Sequence, residues 1–400
     1  MIYSSSRKEF LESLYKILIA ELPDKPWVSA FKRINRNTKR PPSIDILGEN
    51  LISYGLHLWE VRSSDALDDY EDWAMANALY YCALFINLTK TVKPERRAEL
   101  ISKFKAAFMR SSSMRSIMVE TFLFHAFRGM NYRVECKDDE IAKETYDFLV
   151  TKGHIQLQVE CKSFAYDKGL VISSREAQEL ASLIIGRKPQ LQREAEGEVC
   201  FLTVDILKEI GSSLEERESL VDAIFQALNN QLDPLDERFK IHLEYASNVE
   251  NIDEVDGPLI VPVIAGDGSE LATYVSAPNG RQSRFFLRIF ARTADAFWRE
   301  FEKVCKIAAT EQLNSDRPSS IVLHISNIDS LDRITKSPRF QPKLNNVFGK
   351  SHVVSVIFVS DIEARGRSTF PWLEFAPAIQ EFQNDNSKFP GMPKLFSYEN

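Results

Sequence analysis

The chain has 400 residues, 44% of them hydrophobic and 27% charged, with 50 basic against 57 acidic side chains and a net charge of −7. That length favours two or three domains over a single core, and the apolar content excludes a disordered or low-complexity chain. The acidic balance excludes a protein that coats nucleic acid by bulk charge, so any nucleic-acid contact must come from local basic patches. Five scattered cysteines, Cys82, Cys136, Cys161, Cys200 and Cys305, form neither a CxxC nor a histidine-paired set and read as reduced thiols. The first residues, MIYSSSRKEF, lack the apolar stretch of a signal peptide, and the longest apolar run, Ala74–Leu88, is interrupted by Asn77 and Asn87. A cytoplasmic protein without a membrane span is expected.

In chain order, residues 1–110 read as a helical N-terminal region. Arg7–Leu22 carries Phe10, Leu11, Leu14, Ile17 and Leu18 at helical spacing, Ser63–Leu88 opens with Asp65, Asp68 and Asp69, and a third helix runs from Pro94 to Phe108. Between the first two lies KRINRNTKR, closed by Pro41-Pro42. As a loop it is either solvated surface or an arm that contacts phosphates through Lys32, Arg33, Arg36, Lys39 and Arg40.

Residues 111–205 show a mixed pattern: a helix over 113–129 stopped by Gly129, strands at 131–136, 144–151 and 155–162, a helix over 174–191 and a strand at 198–204. Residues 206–370 predict a C-terminal α/β region, with helices at 214–230 and 293–313 and strands near 238–244, 258–264, 270–275, 284–290, 320–325 and 353–359. The remainder, 371–400, reads as a polar tail. A helix followed by a buried strand occurs twice, at 174–204 and at 293–325. Arg284, Arg288 and Arg292 repeat every fourth residue, so a strand presents them on one face, either as plain surface or as a DNA-facing strip. The fold class expected is mixed α/β.

The chemistry concentrates in YDFLVTKGHIQLQVECKS, Tyr146–Ser163. Alternation on both sides of Gly153-His154 predicts a hairpin, because glycine suits the positive φ of a two-residue turn. Residues whose numbers sum to 307 then face each other: Lys152 with Ile155, Val150 with Leu157, Phe148 with Val159, Asp147 with Glu160. Phe148, Val150, Leu157, Val159 and Cys161 form an apolar face, and Asp147, Gln156, Gln158, Glu160 and Lys162 the other. Carboxylates directly opposite stand on the order of 5 Å apart and repel by about 3 kcal/mol at an effective dielectric of roughly 20. A strand pair selected for stability alone avoids that. The pair makes sense with positive charge between its members, partly from Lys162 and partly from a divalent metal, and hard oxygens with retained waters suit Mg²⁺. Such a metal activates water and stabilises charge on phosphorus, while a lysine beside that water positions it or assists its deprotonation.

These residues resemble the PD-(D/E)xK nuclease superfamily, whose pattern is an acidic residue on the second strand and E-x-K on the third: here Asp147, then Glu160-Cys161-Lys162. Glu120, in SIMVETFLFHAFRGMNYRV, stands where many members carry a glutamate on the preceding helix. The resemblance covers about 111–204. It implies a restriction-endonuclease-like core in which Asp147, Glu160, Lys162 and Glu120 are catalytic. It further implies Mg²⁺, replaceable by Mn²⁺, held by Asp147, Glu160, Glu120 and the backbone carbonyl of Cys161. Tyr146 stands in place of the motif's proline. Gln178 is followed by Ser182 where RecB-type exonucleases have tyrosine, which favours an endonuclease.

DNA as substrate, bacterial restriction or anti-phage defence as setting, and a partner subunit such as an ATPase follow from the same resemblance. The flanking regions are expected to serve substrate placement, homo-oligomerisation or control. A catalytically inactive subunit of the same fold, binding DNA or a partner protein, is the competing expectation. A second VECK at Val134–Lys137 has no acidic strand residue in hairpin register. The histidines, His57, His125, His154, His242, His324 and His352, show no ligand spacing and are expected in core or surface roles, and neither GxGxxG nor a P-loop occurs.

Overall fold

The computed structural model describes residues 5–37, 50–62, 69–137, 146–164, 171–172, 174–187, 198–211, 213–230, 236–247, 259–261, 269–276, 284–291, 296–325, 331, 334–360, 364–366, 373–375 and 378–396. In chain order the first elements are α1 (Ser5–Glu21), α2 (Pro26–Asn37), α3 (Leu51–Arg62), α4 (Asp69–Thr89), α5 (Pro94–Ala107), α6 (Ser111–Gly129), β1 (Arg133–Cys136), β2 (Phe148–Lys152) and β3 (Ile155–Phe164). There follow α7 (Ser174–Gly186), β4 (Glu198–Ile206), α8 (Leu214–Asn230), β5 (Phe239–Ser247), β6 (Leu259–Val261), β7 (Ser269–Ser276), β8 (Arg284–Ala291) and α9 (Ala296–Ile307). The last are β9 (Ser319–Ile325), α10 (Phe340–Phe348), β10 (Val353–Ser360), β11 (Ala364–Gly366), β12 (Leu373–Phe375) and β13 (Ile379–Gln383). The class is mixed α/β with a helical N-terminal region. Among the described residues no helix is long and apolar enough to cross a membrane.

Two compact units emerge, one of residues 1–42, 47–165 and 302–400 and the other of 43–46 and 166–301. The second unit interrupts the first, and its main segment begins at Tyr166, four residues after Lys162. In the first unit the helices build a core from Leu11 and Leu18 of α1, Leu22 just beyond it, Trp27 of α2, Met75, Leu79 and Phe85 of α4, and Phe104 of α5. The basic stretch expected as a loop is helical as far as Asn37. Trp27, Ala30 and Phe31 recur at helical spacing and are buried, which leaves Lys32 and Arg33 exposed on the opposite side. α3 is not legible from spacing, since Ile52, Ser53, Tyr54, Leu56 and Leu58 bury it nearly all round. Gly55 permits its close approach to α4: a Cβ there would stand 2.2 Å from the Ala74 carbonyl oxygen.

The sheet of this unit has six strands in the order β1-β2-β3-β9-β10-β13, with β3, β9 and β10 parallel and the other pairs antiparallel. This corrects the expected core of 111–205. The strand beside β3 is β9, and β4 belongs to a separate five-stranded sheet, β5-β4-β8-β7-β6. The reason is burial. β9 and β10 are buried at every position, as parallel strands covered on both faces must be. Among its described side chains β4 buries Leu202, Val204 and Ile206, which pack on Ala177, Leu180 and Ile184 of α7 and on Leu220, Val221 and Ile224 of α8. The division at 205/206 and the C-terminal region 206–370 are therefore replaced by an insertion, 166–301, and a return to the first unit at 302.

The expected polar tail is also part of the fold. β13 forms the sheet edge, and Phe389, Met392, Leu395 and Phe396 join the cluster around Val159 and Ile357. Its polar residues satisfy backbone groups that apolar ones could not: the Asn384 amide donates to the Val353 carbonyl at 2.8 Å, and Glu381 accepts the N–H groups of Leu395 and Phe396 at 3.1 and 3.0 Å.

Candidate active site

The hairpin has the expected register, with five rungs from Lys152–Ile155 to Phe148–Val159, and Gly153 in its turn has φ 61°. Asp147 lies just before β2, so it does not face Glu160 as a ladder rung. Instead its Oδ2 accepts the Cys161 backbone N–H at 2.6 Å, while its own carbonyl accepts the Lys137 N–H at 2.9 Å. The strand geometry explains this. Gln158 donates to the Pro318 carbonyl on the β9 side at 3.0 Å, so alternate residues Val159 and Cys161 turn their N–H and C=O toward β2. Beyond the last rung β2 supplies no backbone acceptor, and the Asp147 carboxylate takes its place in a charge-assisted bond. By the same alternation the Cys161 carbonyl is turned to the β2 side, where it and the Asp147 carboxylate form a fork.

Glu160 lies on the other sheet face and is 1% exposed, with Oε1 2.5 Å from the Lys162 ammonium, whose side chain is 26% exposed. That face is covered rather than open. Gln158 is fully buried, accepts the Asn314 N–H at 2.7 Å and donates to the Asn314 carbonyl at 3.2 Å. Lys162 therefore spans from a buried carboxylate to solvent, and removing one member of such a pair costs about 3–5 kcal/mol.

Glu120 is half-buried on α6, one turn before Leu123 and Phe124, which pack on β2 and β3. The Cys161 thiol reports how the acidic groups gather. Burial pushes it well above the ordinary thiol range, and Asp147, Glu120 and Glu160 push it the same way. The Cys136 thiol, at the end of β1, is pushed up to about 12 by burial, with Arg96 opposing and Glu120 and Asp147 reinforcing. Glu120, Asp147 and Glu160 thus lie within electrostatic reach of Cys161, and Glu120, Asp147 and Arg96 of α5, 2.7 Å from Glu99, within reach of Cys136. No spacing signal could have singled out Arg96 from Arg97 beside it.

Among the described residues no three His, Cys, Asp or Glu side chains gather into a metal-binding cluster. Asp147 binds the Cys161 N–H and Glu160 binds Lys162. The donor types at the fork, carboxylates and one carbonyl, are nevertheless the hard oxygen set that suits Mg²⁺ or Mn²⁺.

The basic candidates do not join this site as a group. Lys32 and Arg33 are exposed on α2, and the Arg33 guanidinium donates to the Met109 carbonyl just past α5, a helix-capping contact. Arg36 and Arg284 lie within α2 and β8 with side chains outside the described residues, as are Lys39, Arg40 and Arg292 altogether. Arg288 is exposed on β8. The second VECK is an edge-strand ion ladder, with Glu135 2.9 Å from Arg133 and 3.4 Å from Lys137. His324 and His352 are core residues, and His154 is exposed in the turn. Cys82, Cys136, Cys161 and Cys305 are free thiols. Comparison of the chain with family models, with curated proteins and with solved structures finds no match in any of the three.

Proposed function

We propose that the chain is a Mg²⁺-dependent DNA endonuclease, with Mn²⁺ as substitute, that hydrolyses phosphodiester bonds. The observation that carries this reading is the Asp147 carboxylate held on the Cys161 N–H beside the buried Glu160–Lys162 pair on the same strand, with Glu120 within electrostatic reach of Cys161. Asp147, Glu160 and the Cys161 carbonyl are the residues to hold the metal, with Glu120 adding charge beside them. When bound, the ion polarises the scissile phosphate and acidifies a water. Lys162, anchored on Glu160, orients the attacking water or relays its proton and offers positive charge to the phosphate oxygens. The Asp147 bond to Cys161 N–H fixes the carboxylate relative to β3, so the donor set is aligned before substrate arrives. Restriction or anti-phage defence, with a partner subunit such as an ATPase delivering the DNA, is the setting this chemistry fits.

A second reading, a non-catalytic subunit that binds DNA or a protein, is favoured by one observation: Glu160 is buried and already paired with Lys162. Incubation of supercoiled plasmid with wild-type protein, Asp147→Asn and Glu160→Gln, in Mg²⁺ or Mn²⁺, separates the two. Nicked and linear products from wild type alone support the nuclease. Cleavage that survives either substitution removes the assignment, and DNA binding without cleavage by wild type selects the second reading.

A further inference from the structure

Within the first unit, α9 and α10 enclose a cavity of about 300 Å³ that the proposed hydrolysis does not use. Its floor is apolar, formed by buried Cys305, Ala309 and Val347, and its rim carries Lys303, Lys306 and Lys350. Glu302 is the single acidic residue of the lining, and it already accepts bonds from the Lys343 ammonium at 2.7 Å and the Asn346 amide at 2.5 Å. Three lysines and one carboxylate thus line the cavity, in a chain whose net charge is −7.

Two further observations bear on this cavity. The backbone over Ala308–Gln312 forms a π turn, a wider geometry that recurs at functional sites, and Ala309 in it contributes to the floor. The His352 Nε2–H donates to the Ala309 carbonyl at 2.9 Å and holds that turn in place. Burial pushes the His352 imidazole down, its bond to the Ala309 carbonyl opposes this, and the charges of Lys388 and Lys350 act in the same direction as burial.

We propose that this cavity binds a phosphate monoester of mononucleotide size, with the phosphate on Lys303, Lys306 and Lys350 and the ring against Cys305, Ala309 and Val347. Lysine ammoniums are point-charge phosphate binders with no fixed fork geometry, and the volume lies at the lower end of ligand pockets. The same phosphate chemistry could come from a DNA backbone lying across the rim, so the experiment separates the two sources. Calorimetric titration of the full chain with 5′-AMP, inorganic phosphate and a short duplex DNA, for wild type, Lys306→Glu and Lys350→Glu, reads this directly. AMP is expected to bind, more tightly than phosphate alone, and each charge reversal is expected to weaken it at least about tenfold. Both lysines are exposed, so an unchanged melting temperature without ligand certifies the variants. Absence of AMP binding at millimolar concentration, or binding indifferent to both reversals, overturns the site. Phosphate binding as tight as AMP leaves the apolar floor without a role and overturns the mononucleotide assignment. Displacement of AMP by duplex overturns it in favour of DNA backbone on the rim. Binding here is independent of cleavage, so failure of the nuclease reading leaves this outcome unaffected.

Discussion

Strands β4 and β9 each follow a helix and carry an apolar run, yet they occupy different sheets. β9 is buried at every position between β3 and β10, whereas β4 buries Leu202, Val204 and Ile206 and leaves Phe201, Thr203 and Asp205 half-buried. The difference lies in how many faces are covered. An ionised carboxylate moved from partial solvent contact to a doubly covered strand loses hydration worth several kcal/mol, so Asp205 in the place of β9 would need a cationic partner as Glu160 has in Lys162. The strand with alternating character packs its apolar face on helices α7 and α8, and the uniformly buried one completes the sheet that carries Glu160 and Lys162. A 136-residue insertion, 166–301, separates two neighbours that touch along their length.

The largest effect expected from this contrast comes from placing a charge on each strand. Val322→Asp in β9 should cost more than about 4 kcal/mol and unfold the first unit, while Thr203→Asp in β4 should cost less than about 1 kcal/mol. Urea titration followed by circular dichroism measures both. Equal losses would mean that the two strands are equally covered and would end the comparison.

The chemistry should divide along the same line. Lys162→Ala, on the first unit's sheet, is expected to slow single-turnover cleavage by on the order of 10²–10⁴-fold while calorimetry still detects Mn²⁺ binding. Because Lys162→Ala strands a buried carboxylate, Lys162→Ala with Glu160→Gln should recover stability without recovering cleavage. Wild-type rates with Lys162 gone would confine the lysine to charge balance. On the second unit's sheet, Arg288→Ala should leave the cleavage rate of bound DNA unchanged and lower the salt slope of DNA binding by about 1. An unaltered slope would make Arg288 ordinary surface.

The smallest effect expected is the most specific to the gathering of charges. Glu120→Gln should lower the Cys136 thiol from about 12, and Arg96→Gln should raise it, because the first removes a negative neighbour and the second a positive one. Alkylation of Cys136 at fixed mildly alkaline pH should therefore run about two- to threefold faster in the first variant and slower in the second. Identical rates in both would place Glu120 and Arg96 away from the site.

The hairpin was legible residue by residue because everything that sets it is local. Gly153 takes the positive φ, and the alternation of Phe148, Val150, Leu157 and Val159 then leaves one register in which both strands bury the same face. Asp147 escaped that logic. It stops being a ladder residue where the backbone of β2 runs out, and it satisfies the Cys161 N–H through its side chain. The half-buried helix at 26–37 was obscured by its basic residues, although Trp27, Ala30 and Phe31 carried the stripe. The C-terminal segment was obscured by polarity that serves an edge strand and buried carbonyls, as Glu381 and Asn384 do.

What the sequence by itself determined is therefore what depends on short range: the helices and strands of clear periodicity, the Gly153-His154 turn, the rungs of β2 and β3, and the placement of Lys162 beside Glu160 on one strand face. Only the tertiary structure decided which strand stands beside β3, that Gln158 and Glu160 are buried rather than displayed, and that Glu120 and Arg96 come within electrostatic reach of Cys136. The physical reason is that burial belongs to a position and not to a residue. A period-two pattern names the two faces of a strand, but which of them is covered depends on elements that lie far away in the chain, here 161 residues from Glu160 to its rung partner Ile321 and beyond.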